Sequence, residues 1–441
     1  MLTDKQEPKK EERRDSSSGM KLGPRLYYSY RRIRKHLAIL AAIIGPGIMV
    51  MVADNDAGGI TTYTVTGATF YYSFIWVEIM LGPVAYVCQE MTVRLGAITK
   101  RGHAEAIFDA FGSFWGWFSL SDLTLTDVLT IVTEFIGMTT AMSIFGIPPV
   151  LTEIFVIAFI MMIVINGRYW TWEKIVLLLC VVNLIYVPAA FLVHPNLSSV
   201  FFTGVIPGFP YGFNSPVIFL LMANVGTTIA PWMIFFQQSS VVDKSLKQKD
   251  IPYERIDTAV GSFFTVLVAV VLIIVAGALL GGTNVTSAAQ AAKLIMPINR
   301  TVGVVMAIGL FDAGLLGAIA ISMASSWAFG EVFGWAHSLN TKVRQAPWFN
   351  LFRLFVLIVA GAIVLIPGAP LVLITLFVQV IAGTLLPAAL VFLILLLNQE
   401  EIVGKYKNTR FQNAFAISVV TILIILSTLY GVGTIFPHLF G

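Results

Sequence analysis

The sequence predicts an all-α polytopic membrane protein built as two inverted five-helix repeats plus an eleventh helix, with helices 1 and 6 broken. Three observations predict it: an apolar composition, a series of runs long enough to cross a bilayer, and two interruptions five runs apart. Of 441 residues, 57% are hydrophobic and 12% charged, with a mean hydropathy of +0.84, whereas soluble domains carry about 25% charged residues. A water-soluble globule is excluded. The net charge of +4 comes from Lys and Arg clustered at the ends of apolar runs, the pattern of membrane-flanking loops rather than of a nucleic-acid surface. A lipid bilayer is therefore an expected partner and nucleic acid is not; the oligomeric state is not legible. Cys88 and Cys180 both lie inside apolar runs and read as small buried hydrophobes, not as a disulfide framework or a thiolate metal site.

Residues 1–36 are expected to form a disordered basic cytoplasmic tail. They contain Lys-Lys-Glu-Glu-Arg-Arg-Asp-Ser-Ser-Ser-Gly and then Arg31, Arg32, Arg34 and Lys35, without the short apolar core of a secretory signal. Crossing about 30 Å of hydrocarbon at about 1.5 Å per residue requires about 20 apolar residues. Runs at approximately 37–70, 74–95, 113–143, 149–166 and 173–193 form the first repeat, 37–193. Runs at approximately 216–241, 258–281, 302–333, 351–368 and 370–397 form the second, 216–397, and 411–436 is the eleventh span. With the amino terminus inside, the cytoplasmic loops receive Arg94, Lys100 and Arg101; Arg168 and Lys174; Lys244, Lys247, Lys249 and Arg255; Lys342, Arg344 and Arg353; and Lys405, Lys407 and Arg410. The other side receives almost only Lys293 and Arg300. This asymmetry places the amino terminus in the cytoplasm and the carboxyl terminus outside; the plasma membrane is the expected location.

The first interruption is Ala53-Asp54-Asn55-Asp56-Ala57-Gly58-Gly59-Ile60. Non-helical backbone at membrane depth survives only when it is buried in protein or lines a cavity, and acidic side chains there usually belong to an ion pathway. The second is Gly226-Thr227-Thr228-Ile229-Ala230-Pro231, where Pro231 removes a backbone donor and disfavours helix at Ala230. An odd number of helices per repeat inverts the second copy, and paired broken helices at matching positions mark a binding site whose unwound carbonyls coordinate cations. Simple packing kinks would leave Asp54 and Asp56 unexplained.

The two breaks resemble those of the NRAMP divalent-metal transporters. Gly45-Pro46-Gly47 followed by Asp56-Ala57-Gly58-Gly59 is similar to that family's Gly-Pro-Gly and Asp-Pro-Gly-Asn. Gln89-Glu90-Met91-Thr92-Val93-Arg94-Leu95-Gly96 with Thr99, Glu134-Phe135-Ile136-Gly137, and Gln379-Val380 with Leu386-Pro387 resemble its second, third and tenth helices. The resemblance implies a LeuT-like fold and metal transport with the ion as substrate, so neither a cofactor nor catalysis. Departures from the pattern are specific: Ala230 and Trp232 stand where the family has methionine and histidine, Gly59 where it has asparagine, Gln237 at a second histidine and Ile131 at a third-helix aspartate. That combination resembles the NRAMP-related magnesium transporter branch.

Thioether sulfur favours softer metals, whereas carboxylate, carbonyl and water suit Mg²⁺ and Mn²⁺. Mg²⁺ also tends to keep several waters while contacting one or two carboxylates, which a pocket widened at Gly59 and Ala230 would suit. The expected metal residues are Asp56 as the charged contact, Thr227 through hydroxyl or carbonyl, Gln379, and the backbone near Ala53, Gly59 and Ala230. Asp54 is expected to brace the broken helix through backbone hydrogen bonds. Asp127 and Glu134 share a face of the third span; they form either a carboxylate path with Asp54 or hydrogen bonds with Thr124, Thr126, Thr130 and Thr133. Whether Glu78, Glu90, Asp312 and Glu331 line water or pair internally is open. The five histidines all fall outside the middle of the expected spans, so the expected mechanism is facilitated uptake rather than proton coupling. A proton-coupled Mn²⁺ or Fe²⁺ importer is the nearest rival. An amino-acid symporter, a channel and an intramembrane enzyme are more distant, the last because no His-Glu-x-x-His or serine-nucleophile pattern occurs.

Overall fold

The computed structural model describes residues 45–165 and 167–435; the expected tail, residues 37–44 of the first span and residues 436–441 lie outside them. Among the described residues every regular element is helical. The first span is two half-helices, α1 (Pro46–Ala53) and α2 (Ala57–Phe70). Next come α3 (Ile75–Thr99), a short α4 (His103–Phe111), α5 (Ser113–Ser143), α6 (Pro149–Met162), and α7 (Tyr169–Asn183) with α8 (Tyr186–Val193). The second half repeats the interruption in α9 (Ser215–Thr228) and α10 (Pro231–Asp243). It continues with α11 (Ile251–Leu280), a short α12 (Ala288–Ile295), α13 (Arg300–Phe333), α14 (Pro347–Val364), α15 (Leu371–Asn398) and α16 (Arg410–Ile435).

Among the described residues, eight segments are long and apolar enough to span a bilayer. The three other expected spans depart from that criterion for local reasons: the first is broken, α3 carries Glu78, Glu90 and Arg94, and α6 has 14 residues. Helix starts follow from sequence. Proline occupies the first turn of α1, α6, α9, α10, α11 and α14, where its missing N–H would have no helical acceptor. Asn214 accepts from the Val217 amide at 3.1 Å and Asn299 from Val302 at 3.2 Å, capping α9 and α13.

In lipid, helices associate through close packing of small residues rather than through a hydrophobic drive. A methyl group on Gly226 would overlap the Gln379 carbonyl oxygen of α15 and lie 2.5 Å from the Gly383 amide nitrogen, so α9 and α15 touch backbone to backbone. The same holds for α1 and α11, where a methyl on Gly47 would sit 2.6 Å from the Thr258 nitrogen. Asp257 of α11 strengthens that contact, its Oδ2 accepting from the amides of Gly45 at 3.1 Å and Gly47 at 2.7 Å. Glu90 pairs internally, with Arg94 at 3.0 Å and Arg255 at 2.7 Å. Arg94 also donates to the Tyr406 carbonyl and to Asn408, both at 2.8 Å, tying α3 to the segment that precedes α16. Cys88 and Cys180 are buried free thiols.

Candidate metal site

The centre forms where the two breaks meet. In an unbroken helix the Ala57 N–H would bond to the Ala53 carbonyl; instead it donates to Glu134 Oε2 on α5 at 2.9 Å. Asp56 caps α2, its Oδ1 accepting from the Gly59 amide at 2.7 Å, an anionic cap that the helix terminus favours. In the second break, Pro231 offers no N–H to the Thr227 carbonyl, and the Ala230 amide donates to Met233 Sδ at 3.3 Å. Both interruptions thus detach carbonyls from the helical ladder at Ala53 and Thr227.

Gly59 marks the convergence. A methyl group there would lie 2.7 Å from Thr227 Oγ1, 3.1 Å from the Asp54 carbonyl oxygen and 3.5 Å from Asp56 Oδ1. Three oxygens from two half-helix junctions therefore face one small residue. Thr227 Oγ1 has no hydrogen-bond partner in the protein, so it does not bond back to its own helix. Gln379 packs its carboxamide on Gly58, where an added methyl would be 2.9 Å from its Cδ and 3.2 Å from Asp56 Oδ1. Asp56, Thr227, Ala230 and Gln379 are 2%, 1%, 3% and 1% exposed. Where Gly59 and Ala230 were expected to widen a pocket, the side chains of Thr227 and Gln379 occupy the space beside Gly59 and Gly58, and all of these residues are buried.

Asp54 departs from expectation. Neither of its carboxylate oxygens has a hydrogen-bond partner in the protein, so it does not brace the broken helix. Close by, Tyr63 donates to Thr228 Oγ1 at 3.0 Å, and Thr228 donates to Glu78 Oε2 at 3.0 Å. Glu134 is nearer the centre than spacing on α5 implied: a methyl on Gly317 would meet Glu134 Oε2 at 2.6 Å and Asp56 Cβ at 2.9 Å. Asp127 is separate, accepting from Ser325 Oγ of α13. Thr124, Thr126 and Thr130 donate to their own helix carbonyls, and only Thr133 reaches a carboxylate, Glu134 Oε1 at 3.1 Å. Glu331 accepts from Ser239 at 2.6 Å.

Sequence reasoning missed Met233. Its position three residues after Ala230 placed it one turn along α10, yet its sulfur turns back to the break. No described histidine enters the centre. His103 of α4 is buried against Gln238, donating from Nδ1 to Oε1 at 3.0 Å, and burial pushes its pKa down to about 4. His194 and His337 lie outside the helices, and His36 and His438 fall outside the described residues.

Two half-helix junctions buried at the centre of an all-helical, multi-pass bundle define a membrane transporter with a LeuT-like fold. The description "Natural resistance-associated macrophage protein-like" matches residues 47–432, and the chain belongs to the Nramp family. It is 26% identical over 422 residues to the Natural resistance-associated macrophage protein 2 homolog of Dictyostelium discoideum, covering 90% of this chain and 65% of that longer protein. It is 25% identical over 399 residues to the Divalent metal cation transporter MntH of Caldanaerobacter subterraneus subsp. tengcongensis, covering 88% of this chain and 91% of the relative. The fold is similar to the Eremococcus coleocola manganese transporter, with a TM-score of 0.75 at 20% identity over 89% of this chain and 86% of the other. It is also similar to MhsT in complex with L-phenylalanine, with a TM-score of 0.57 at 13% identity over 87% and 97% of the two chains.

Proposed function

We propose that the chain carries divalent metal cations, Mg²⁺ foremost and Mn²⁺ as well, by facilitated alternating access. The observation that carries this reading is the convergence of Thr227 Oγ1, the Asp54 carbonyl and Asp56 Oδ1 on Gly59. Oxygen donors around a carboxylate suit a hard ion, and the relatives named as divalent metal and manganese transporters support the substrate class. Asp56 supplies the charge and Thr227 a neutral oxygen; Gln379, whose Nε2 faces Gly58 here, supplies its Oε1 once the carboxamide turns over, and the carbonyls near Ala53, Gly59 and Ala230 complete the shell directly or through retained water. Opening of the closed centre admits the hydrated ion; the protein sits in the plasma membrane with its amino terminus cytoplasmic.

The membrane potential makes a coupling ion unnecessary. It contributes about 2.3 kcal/mol per charge per 100 mV, so a divalent cation entering gains roughly 4.6 kcal/mol, a concentration ratio above about a thousand. One observation favours the rival, proton-coupled reading: Glu134 lies against the same junction as Asp56. Purified protein in liposomes, given Mg²⁺, Mn²⁺ or Fe²⁺ with a pH dye inside, separates the two. Facilitated transport gives Mg²⁺ and Mn²⁺ flux without a change in luminal pH; metal-linked proton movement, or Fe²⁺ flux untouched by millimolar Mg²⁺, overturns it.

A further inference from the structure

The stretch that joins α8 to α9 is unlike an aqueous loop. Residues 195–216 contain no Asp, Glu, Lys or Arg, and they link the ends of two segments long and apolar enough to span a bilayer, Tyr169–Val193 and Ser215–Asp243. The first part is a short helix, Leu197–Ser199 continued in a wider turn over Val200–Val205. Asn196 caps it, accepting from the Ser199 amide at 3.1 Å, and Thr203 donates to the Ser199 carbonyl at 2.7 Å. These polar groups are satisfied within the segment, as contact with lipid demands.

One side of the segment grips the bundle. Gly204 is buried there: a methyl on it would lie 2.9 Å from Ile75 Cδ1 and 3.0 Å from the Tyr72 carbonyl oxygen, in the turn from α2 to α3. The residues that follow extend the grip. Trp76 of α3 donates from Nε1 to the Gly208 carbonyl at 3.2 Å, the Phe209 ring lies 5.4 Å from Trp76 and 6.0 Å from Phe74, and the Tyr211 ring lies 5.7 Å from Phe70. Another side is bare. Leu197, Phe201 and Val205 recur every four residues along it, with Phe202 beside them, and Phe201 and Phe202 are 56% and 64% exposed. Ser199 and Thr203, each two residues on from a member of that row, fall on a different side.

Fully burying a Leu, Val or Phe side chain is worth about 1.5–3 kcal/mol, and a contiguous row of them left bare marks a protein or membrane contact. Position and composition choose the membrane. The row lies between the ends of two spans, and the absence of charge over residues 195–216 suits lipid, where each ionised group is costly. Tyr211 and Trp76, which flank the grip, are residue types that gather at the membrane–water boundary. We propose that residues 197–205 lie in the bilayer interface, with Leu197, Phe201, Phe202 and Val205 seated among the phospholipid acyl chains of that leaflet. Gly204, Phe209 and Tyr211 then tie the leaflet to the far end of α2, the half-helix that Asp56 caps at its start. This contact does not depend on the divalent-metal reading.

The test uses full-length protein carrying Phe202→Cys or Thr203→Cys, both at exposed positions, labelled with an environment-sensitive fluorophore and reconstituted in phosphatidylcholine vesicles. The unsubstituted protein, whose two cysteines are buried, is the blank. The label at position 202 should lose most of its emission when the phospholipids carry a nitroxide near the headgroup, and little when iodide is present on both sides of the membrane. The label at position 203 should show the reverse order. Strong iodide quenching at 202 overturns the proposal. Equal lipid quenching at both positions also overturns it, because the whole segment would then be submerged, as does shielding at 202 from both quenchers, which would put the row in a contact between copies of this chain. Should Phe202→Cys not fold, Phe201→Cys takes its place with the same expectations.

Discussion

Glu134 Oε2 accepts the Ala57 amide hydrogen at 2.9 Å, so a carboxylate from α5 ends the gap between the first two half-helices. Glu134→Gln keeps an acceptor oxygen and should fold as the wild type does. Glu134→Leu leaves the Ala57 N–H buried and unpaired, which should lower stability by about 1–3 kcal/mol. Thermal unfolding of the two variants measures the difference, and equal midpoints would show that the amide finds another partner.

Asp56 and Gly59 make different demands on the same space. Asp56→Ala should abolish metal flux in liposomes, and wild-type rates in that variant would remove Asp56 from the site. Gly59→Ala keeps every ligand but places a methyl 2.7 Å from Thr227 Oγ1. It should cut flux by about tenfold or more, since misplacing a ligand by about 1 Å can cost far more than its bulk suggests. Retention of full flux would mean that Thr227 yields freely.

Sulfur near the second break separates position from presence. Ala230→Met adds a thioether at the junction and should shift preference toward Mn²⁺ and softer ions at the expense of Mg²⁺, by about tenfold in relative uptake. Met233→Leu should leave preference unchanged, because the Met233 sulfur already accepts the Ala230 amide hydrogen. A change of selectivity in Met233→Leu would instead make that sulfur a metal contact.

His103 should make folding sensitive to mild acid. Unfolded, its imidazole takes up a proton below about 6.5, whereas in the folded chain burial delays this to about 4. Its contribution is therefore complete above the unfolded value, declines as pH falls between the two, and is flat below the lower one. The loss across that window should reach about 3 kcal/mol. His103→Gln should flatten the stability profile there; an unaltered slope would assign the acid sensitivity elsewhere.

Close packing gives a further check on the bundle. Gly226→Ala forces a methyl into the Gln379 carbonyl and should cost about 1–3 kcal/mol of stability. A neutral effect would show that α9 and α15 can separate without penalty.

The helical class was legible because runs of about 20 apolar residues admit few other structures in lipid. The breaks were legible for similarly local reasons: Pro231 withholds a donor, and Asp54 and Asp56 are foreign to a plain span. Contacts across the bundle were not. Nothing in the α5 sequence says that Glu134 reaches Ala57 while Asp127, seven residues earlier, turns to Ser325. Periodicity gives a face, and only packing says what that face meets. Asp54 was misjudged because capping rules describe where a carboxylate can bond, not whether a neighbour already holds the amide. Met233 escaped attention because a methionine on a buried helix ordinarily fills a core.

The grip of Asp257 on the amides of Gly45 and Gly47 has a mechanical corollary. Any swing that lifts the start of α1 away from α11 must release two hydrogen bonds to a single carboxylate together, so this end of the half-helix lets go as a unit rather than fraying. If transport swings that end of α1, the proposed cycle would meet a threshold set by one side chain, some distance along the chain from the residues that would greet the cargo.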